Sequence, residues 1–317
     1  MSKQWRLGNK SMENAKIKKL LMQKLLAYTN YHHYIRQNAL SNVKIVANPT
    51  QSTLQDNIRE SIGFDESIKV AVITQSYYRK DGSSKKCLQN MFKMLEAQTY
   101  KNFKVFITGD NYQPENEFME VCNEYKGEIY IHNNNHSCRD LKLGGIRNYW
   151  CCGGVHAVYN SYIKAKDEDY NIALMLDDDD YWYDSYINNV VSNFIKYPET
   201  GFMITNAEFC GRTLPVTPIN SIYYNNYMPR GGDSVRSASS HNISKISECV
   251  LKIWKDLIDE VTKMNVEQEK WVLSPCDMHI LNIIGKNVLE DKYKSLFIPI
   301  ALVKKNSDCN WGNINNN

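Results

Sequence analysis

Residues 172 to 184 read IALMLDDDDYWYD: five apolar residues, then four aspartates, then Tyr181, Trp182 and Tyr183. An unbroken apolar run of this length is the pattern of a strand buried on both faces, as in a parallel sheet. Asp177 to Asp180 then begin where the strand ends. In an extended segment Asp177 and Asp179 point to one side and Asp178 and Asp180 to the other. Two carboxylates ~4 Å apart repel by roughly 4 kcal/mol at an effective dielectric of about 20, so a half-buried pair needs a cation or a raised pKa. Oxygen donors alone select Mg2+, Mn2+ or Ca2+ over zinc, and a site with one or two protein carboxylates generally shares its ion with substrate phosphates. The alternative is a solvated acidic turn. The aromatic residues behind the acids favour the cation, because they set the row on an apolar floor rather than in a polar loop. An EF-hand is excluded, since its loop needs Gly at the sixth position, where Trp182 stands.

The surrounding pattern defines the fold class. IKVAVIT (68 to 74) reads as a buried strand, and Leu88, Met91, Phe92 and Leu95 then repeat at helical spacing behind Ser83 and Ser84. FKVFIT (103 to 108) is the next strand. A helix opened by Pro114, a strand EIYIH, a helix from about Tyr149 to Lys164 and the strand NIALML continue the alternation. This order implies an α/β protein with a mostly parallel sheet flanked by helices, whose ligands sit beyond the carboxyl ends of the strands. GFMITNAEF is a further strand, and residues 210 to 242, rich in Gly, Pro, Ser, Asn and Tyr, are expected to form a long functional loop or lid. Ile246, Val250, Ile253, Trp254 and Leu257 mark a strong helix; a short helix near Pro275 to Ile284 and a strand SLFIPIALV follow.

Four segments result: a helical N-terminal extension over 1–66, a first α/β half over 67–200, a second half over 201–305 and a polar tail over 306–317. Within the extension, Ile17, Leu20, Leu21, Leu25 and Tyr28 share one face of a basic amphipathic helix, suited to packing on the body, to an oligomer contact or to a peripheral surface. A formal net charge of only +3 gives no general grip on nucleic acid. The first ten residues lack the apolar core of a signal peptide, and no stretch has the ~18 uninterrupted apolar residues of a membrane span. The nine cysteines lack Cys-x-x-Cys spacing and read as reduced thiols. A soluble, cytoplasmic protein is expected.

LMLDDDDYW resembles the Asp-x-Asp segment of GT-A fold glycosyltransferases, most closely the Leu-Asp-x-Asp-Asp-x-Trp form of glycosyltransferase family 2. The resemblance implies a Rossmann-like sheet in which Asp177 contacts the donor ribose and Asp179 binds a metal, Mn2+ or Mg2+, on the nucleotide diphosphate. Asp178 is counted among the nucleotide-sugar-binding acids. Asp180 becomes the adjoining acid at the metal or diphosphate, and Trp182 the aromatic position facing the acceptor. VITQSYYR is similar to the opening strand that cradles the nucleotide, with Thr74, Gln75 and Tyr77 at base and ribose positions. Asp110, ending VFITGD, matches the acid that binds the base, usually uracil. GGIRNYW resembles an Ala-Arg-Asn segment, bringing Arg147 and Asn148 to the ribose and diphosphate.

SPCDMHILNII puts Asp277 where the family carries the base that deprotonates the acceptor, with Cys276 in place of the usual preceding acid. Ser274, Pro275 and Asp277 make an equally good helix start with a capping acid. SSHNISK is similar to the strand and loop before the acceptor helix, so that His241 and Asn242 would touch the sugar. KKNSDCNW lies where many such enzymes carry a metal-binding His; Asp308 or Asn306 would stand in for it.

The function these residues imply is metal-dependent transfer of a sugar from a nucleotide diphosphate, foremost UDP, to a hydroxyl of a glycan or glycoprotein, with inversion. Two rivals remain. A metal-dependent nucleotidyltransferase or phosphohydrolase also uses strand-end aspartates, although Tyr181 stands where a phosphatase would carry Thr or Val. A non-catalytic nucleotide-sugar or glycan-binding module follows if Asp277 is only a cap.

Overall fold

The computed structural model describes residues 44–47, 67–137, 139, 154–209, 212–214, 222–224, 235–263 and 293–305. The chain divides into two compact units, Met1–Val43 and Lys44–Asn317. The expected amphipathic helix and the expected helix near Pro275 to Ile284 lie outside the described residues. No helix among the described residues is long and apolar enough to cross a membrane.

The second unit opens on β1 (Lys44–Ala47), and the expected alternation follows: β2 (Val70–Ser76), α1 (Ser83–Ala97), β3 (Phe103–Gly109), α2 (Glu115–Asn123), β4 (Glu128–Asn133), α3 (Val155–Asp167) and β5 (Ile172–Asp177). Val70 to Ile73 of β2 and Ala173, Leu174 and Leu176 of β5 are buried because helices cover both faces of the sheet. On one face Thr74 Oγ1 meets Met91 Sδ of α1 at 3.7 Å. On the other, Thr108 Oγ1 of β3 lies 2.8 Å from Ser161 Oγ of α3. The predicted stripe Leu88, Met91, Phe92 and Leu95 is the buried side of α1.

β6 (Tyr181–Trp182), α4 (Tyr186–Lys196), β7 (Thr200–Phe209), β8 (Arg212–Leu214), β9 (Ile222–Tyr224), β10 (Ser239–Asn242), α5 (Ile243–Lys263) and β11 (Lys294–Lys304) complete the described elements. The strands form one sheet in the order β1-β9-β11-β7-β10-β5-β2-β3-β4, with β6 on β11 and β8 on β7. It is parallel from β4 through β3 and β2 to β5, and again between β7 and β11. The remaining pairings are antiparallel, so the sheet is mixed rather than mostly parallel. Lys44–Ala47, expected within the extension, is an edge strand on β9.

Composition assigns Ser239–Asn242 to the loop or lid over 210–242, whereas SSHNISK resembles a strand before a helix. The structure has the strand: β10 runs through the middle of the sheet, antiparallel to β5 and β7 at once. Ser240 and His241 are buried there. The His241 ring lies among Tyr162 and Phe202, at centroid distances of 5.8 and 5.6 Å, and neither ring nitrogen has a hydrogen-bond partner among the described residues.

Burial pushes the His241 pKa down to about 3, from 6.5. A folded pKa below the unfolded one means that the unfolded chain binds the extra proton. Stability is therefore full above pH 6.5 and is lost as pH falls towards 3. His241→Leu is expected to flatten the acid limb of a stability-against-pH curve by up to about 1.4 kcal/mol per pH unit. Denaturant midpoints for both proteins from about pH 7 to about pH 4, a window spanning the ordinary histidine range, measure it; parallel curves would mean that His241 does not govern this limb.

Candidate active site

β5 delivers its aspartates to the carboxyl edge of the sheet, and the row closes as a tight turn in which the Asp180 amide donates to the Asp177 carbonyl at 3.1 Å. Each of three acids is met by a cation from a different element. Asp178, nearly buried, accepts both terminal nitrogens of Arg79, which follows β2, at 2.6 and 3.0 Å, and Ser76 Oγ at 2.5 Å. Asp177 accepts Arg236, from the 3-10 turn Arg236–Ala238 ahead of β10, and Gln75 Nε2 at 3.2 Å. Asp180 accepts Ser237 Oγ at 2.6 Å, and Lys305, just past β11, stands 3.7 Å away.

Burial favours the neutral acid at Asp177, but Arg236 and Lys305 outweigh it and hold this carboxyl below its usual range. Burial likewise opposes the Arg79 charge, and Asp178 outweighs it, so the guanidinium is more firmly protonated than usual. Among the described residues Asp179 has no such partner at hydrogen-bonding distance; Arg79 is 3.6 Å away and already engaged by Asp178. Burial, then the charges of Asp178, Asp180 and Asp177, push the Asp179 pKa up to about 7. The row thus carries one carboxylate more than its cations neutralise, and a divalent cation fits that deficit. Among the described residues no three His, Cys, Asp or Glu converge as a ready cage. A metal held here would draw on one or two carboxylates and fill its remaining positions from water or ligand.

A second polar centre lies at the ends of β3 and β4. The Asp110 amide donates to the Ser76 carbonyl at 2.7 Å, locking its strand end to that of β2. Asp110 Oδ2 accepts Ser137 Oγ at 2.7 Å, Arg139 Nε at 3.0 Å and the Gly154 amide at 3.0 Å. Asp110 Oδ1 is buried with no partner among the described residues. Gly154 is required here: its φ is +73°, and a Cβ would come within 2.7 Å of Gln75 Cγ. Beside Asp110, the Tyr77 ring carries the Arg139 guanidinium 3.9 Å from its centroid and that of Arg79 at 4.7 Å.

Of the residues expected from sequence, Gln75, Tyr77, Asp110 and Asp177 to Asp180 come together at this edge. Arg147, Asn148, Asp277 and Asp308 lie outside the described residues. Four others stand elsewhere. Thr74 is fully buried with its hydroxyl on Met91, so its side chain faces α1. Trp182 is fully buried, stacked on Tyr186 with Nε1 donating to the Ser237 carbonyl at 2.7 Å; it floors the row and has no face for an acceptor. His241 and Asn242 pair with Ala173 and Ile172, because antiparallel β10 carries them towards the start of β5. That is ~13 Å for His241 and ~16 Å for Asn242 along the sheet from Asp177, at ~3.3 Å per residue. Asn242 Oδ1 accepts Ser244 Oγ at 2.7 Å at the start of α5.

Ser76, Arg79, Ser137, Arg139, Arg236, Ser237 and Lys305 were not anticipated. Their one sequence signal is position: Ser76 and Arg79 lie within VITQSYYR, and Lys305 is the second residue of KKNSDCNW, the segment searched for a metal-binding His.

The acidic row thus stands beyond the carboxyl end of β5, in the middle of the sheet. A protein of Acanthamoeba polyphaga mimivirus named as an uncharacterized glycosyltransferase is 28% identical over 240 residues, spanning 73% of this chain and 91% of that one. S. aureus TarS 1-349 in complex with UDP shares the fold, with a TM-score of 0.51 at 13% identity over 75% of this chain and 60% of that one. This chain therefore spans less than two thirds of that TarS chain. No protein-family profile matches the sequence. The chain is thus similar in sequence to a protein named as a glycosyltransferase and shares its fold with TarS.

The Arg79–Asp178 pair yields a stability test. Arg79→Met leaves Asp178 charged and nearly buried, a change expected to cost about 3 to 5 kcal/mol. Adding Asp178→Asn removes the stranded charge and should recover much of the loss in a urea titration. A double variant no more stable than the single one would show that the pair is not what Arg79 contributes.

Proposed function

We propose that the chain is a divalent-metal-dependent glycosyltransferase of family 2 type. It transfers a sugar from a nucleotide diphosphate, foremost UDP, to a hydroxyl of a glycan or glycoprotein, with inversion at the anomeric carbon. The observation that carries this reading is Asp179, the acid that among the described residues only shares Arg79 with Asp178, at the strand end where such folds bind ligands. Mn2+ or Mg2+ held there would supply Lewis-acid stabilisation to the departing diphosphate.

The protein's own groups have separable tasks. Asp110 Oδ1 is a buried acceptor in search of one donor, and the single imide N–H of uracil supplies one. Guanine offers two adjacent donors, but Oδ2 is already filled by three. The Tyr77 ring, which already carries the Arg139 guanidinium, would border the base or ribose beside Asp110, and Gln75, hydrogen-bonded to Asp177, would lie on the side of the acidic row. Asp277 takes the proton of the acceptor hydroxyl as its oxygen attacks the anomeric carbon opposite the leaving group. Arg147 and Asn148 approach the diphosphate, and Asp308 completes the metal site.

A donor panel assayed for nucleotide release, with and without Mn2+, tests the reading as a whole; release of free sugar without an acceptor product would favour a hydrolase. Asp179→Ala should abolish Mn2+-dependent binding of UDP while leaving the melting temperature near wild type. Undiminished UDP binding in a calorimetric titration would remove the metal assignment. Asp277→Asn should lower transfer by ~10² or more with UDP affinity retained. A small loss of melting temperature with turnover kept would make Asp277 a helix cap instead.

A further inference from the structure

The proposed donor brings two phosphates to this edge, and their charge needs partners from the protein. The three cations there are not equally committed. Arg79 is locked by two short hydrogen bonds to Asp178. Arg236 is hydrogen-bonded to Asp177 and, at 2.6 Å, to Gln75 Oε1. Lys305 Nζ stands 3.8 Å from Asp177 Oδ2 and 3.7 Å from Asp180 Oδ2, beyond the ~3.2 Å of an ordinary N–H···O bond to either. Its side chain is 21% exposed, against 10% for Arg79 and 9% for Arg236, so it is also the one nearest the opening.

Its backbone, by contrast, is fixed. The Lys305 amide donates to the Glu208 carbonyl at 2.8 Å, holding the residue at the carboxyl end of β11, which runs parallel to β7. A pinned main chain with an ammonium on a flexible four-carbon stem, held among the described residues by charge alone between two acids, is the arrangement of a group that can change partners.

We propose that Lys305 is a donor-binding residue whose ammonium moves from the Asp177 and Asp180 carboxylates onto the diphosphate oxygens. The assignment rests on the nucleotide-sugar reading above. In transfer the bond between the anomeric carbon and the β-phosphate oxygen breaks, and its electron pair stays on that oxygen. The ammonium hydrogen-bonds the diphosphate through the step and keeps its proton; the acceptor's proton goes to the base. Lys305 is then more important to the phosphates than to the nucleoside, which separates it from a merely structural cation.

The test compares UDP with uridine in calorimetric or NMR titrations with Mn2+ present, on the full chain. Lys305→Met keeps the length of the stem; Lys305→Gln keeps a donor without the charge and serves if the first variant does not fold. Either change is expected to weaken UDP by about tenfold or more and to leave uridine unchanged, with Lys305→Arg restoring most of the affinity. Equal losses for UDP and uridine, or no loss for UDP, overturn the assignment while leaving the donor reading intact. A wild-type protein that binds no nucleoside diphosphate, UDP, GDP or ADP, overturns the donor reading itself, and the role of Lys305 with it.

Discussion

The rest of the ligand edge is arranged around the mutual repulsion of Asp177 to Asp180. Four carboxylates at the end of one strand have to be met by positive charge, since adjacent pairs repel by several kcal/mol wherever the dielectric is below that of water. Arg79 comes from the loop after β2, Arg236 from the turn before β10 and Lys305 from the end of β11. These elements span much of the sheet, so the acidic row ties together segments far apart in the chain. Ser237 tightens the tie: its hydroxyl donates to Asp180, its carbonyl accepts from Trp182 and its oxygen accepts the Asp177 amide at 2.9 Å.

The Asp110 centre obeys the opposite rule. Three donors converge on one carboxylate oxygen, and none of them reaches the other. A buried acceptor left open costs folding free energy, on the order of 1 to 3 kcal/mol, and a ligand donor recovers it. The oxygen is held without freedom to turn, because Ser137, Arg139 and the Gly154 amide fix its twin. A base donor meeting it would lose little to reorganisation, which is the advantage of a preorganised site.

How much of this was legible in the sequence depends on the range of the force that decided it. β2, β3 and β5 announce themselves as unbroken apolar runs, and α1 by its i, i+3, i+4, i+7 stripe, because burial on one or two faces is a local pattern. The acidic row was legible for the same reason. β10 was legible only by the resemblance of SSHNISK: Ser239, Ser240, His241 and Asn242 have little strand preference of their own, and what makes them a strand is the pair of ladders offered by β5 and β7. That direction, invisible locally, sends His241 and Asn242 towards the start of β5. Thr74 was misassigned by one step of the strand alternation, which turns its hydroxyl onto α1 and leaves the contact with Asp177 to Gln75. The cations were illegible because their partners are 59 to 99 residues away in sequence, as for Arg236 and Arg79.

Under the proposed function, the same charge count also orders the binding events. Once Asp179 is ionised, the four carboxylates of the row exceed Arg79, Arg236 and Lys305, its cations among the described residues, by one negative charge. In that state the row itself repels an incoming diphosphate. With a divalent cation bound beside Asp179, the excess becomes one positive charge and the diphosphate is attracted, more strongly as the site is closed from water. The two cations firmly hydrogen-bonded to Asp178 and Asp177 cannot follow the ligand without stranding a carboxylate they now satisfy. Lys305 can, because Asp180 retains Ser237 and Asp177 retains Arg236 and Gln75 when the ammonium leaves. The hydrogen bonds that make the acids stable without Lys305 are therefore what free it for the donor.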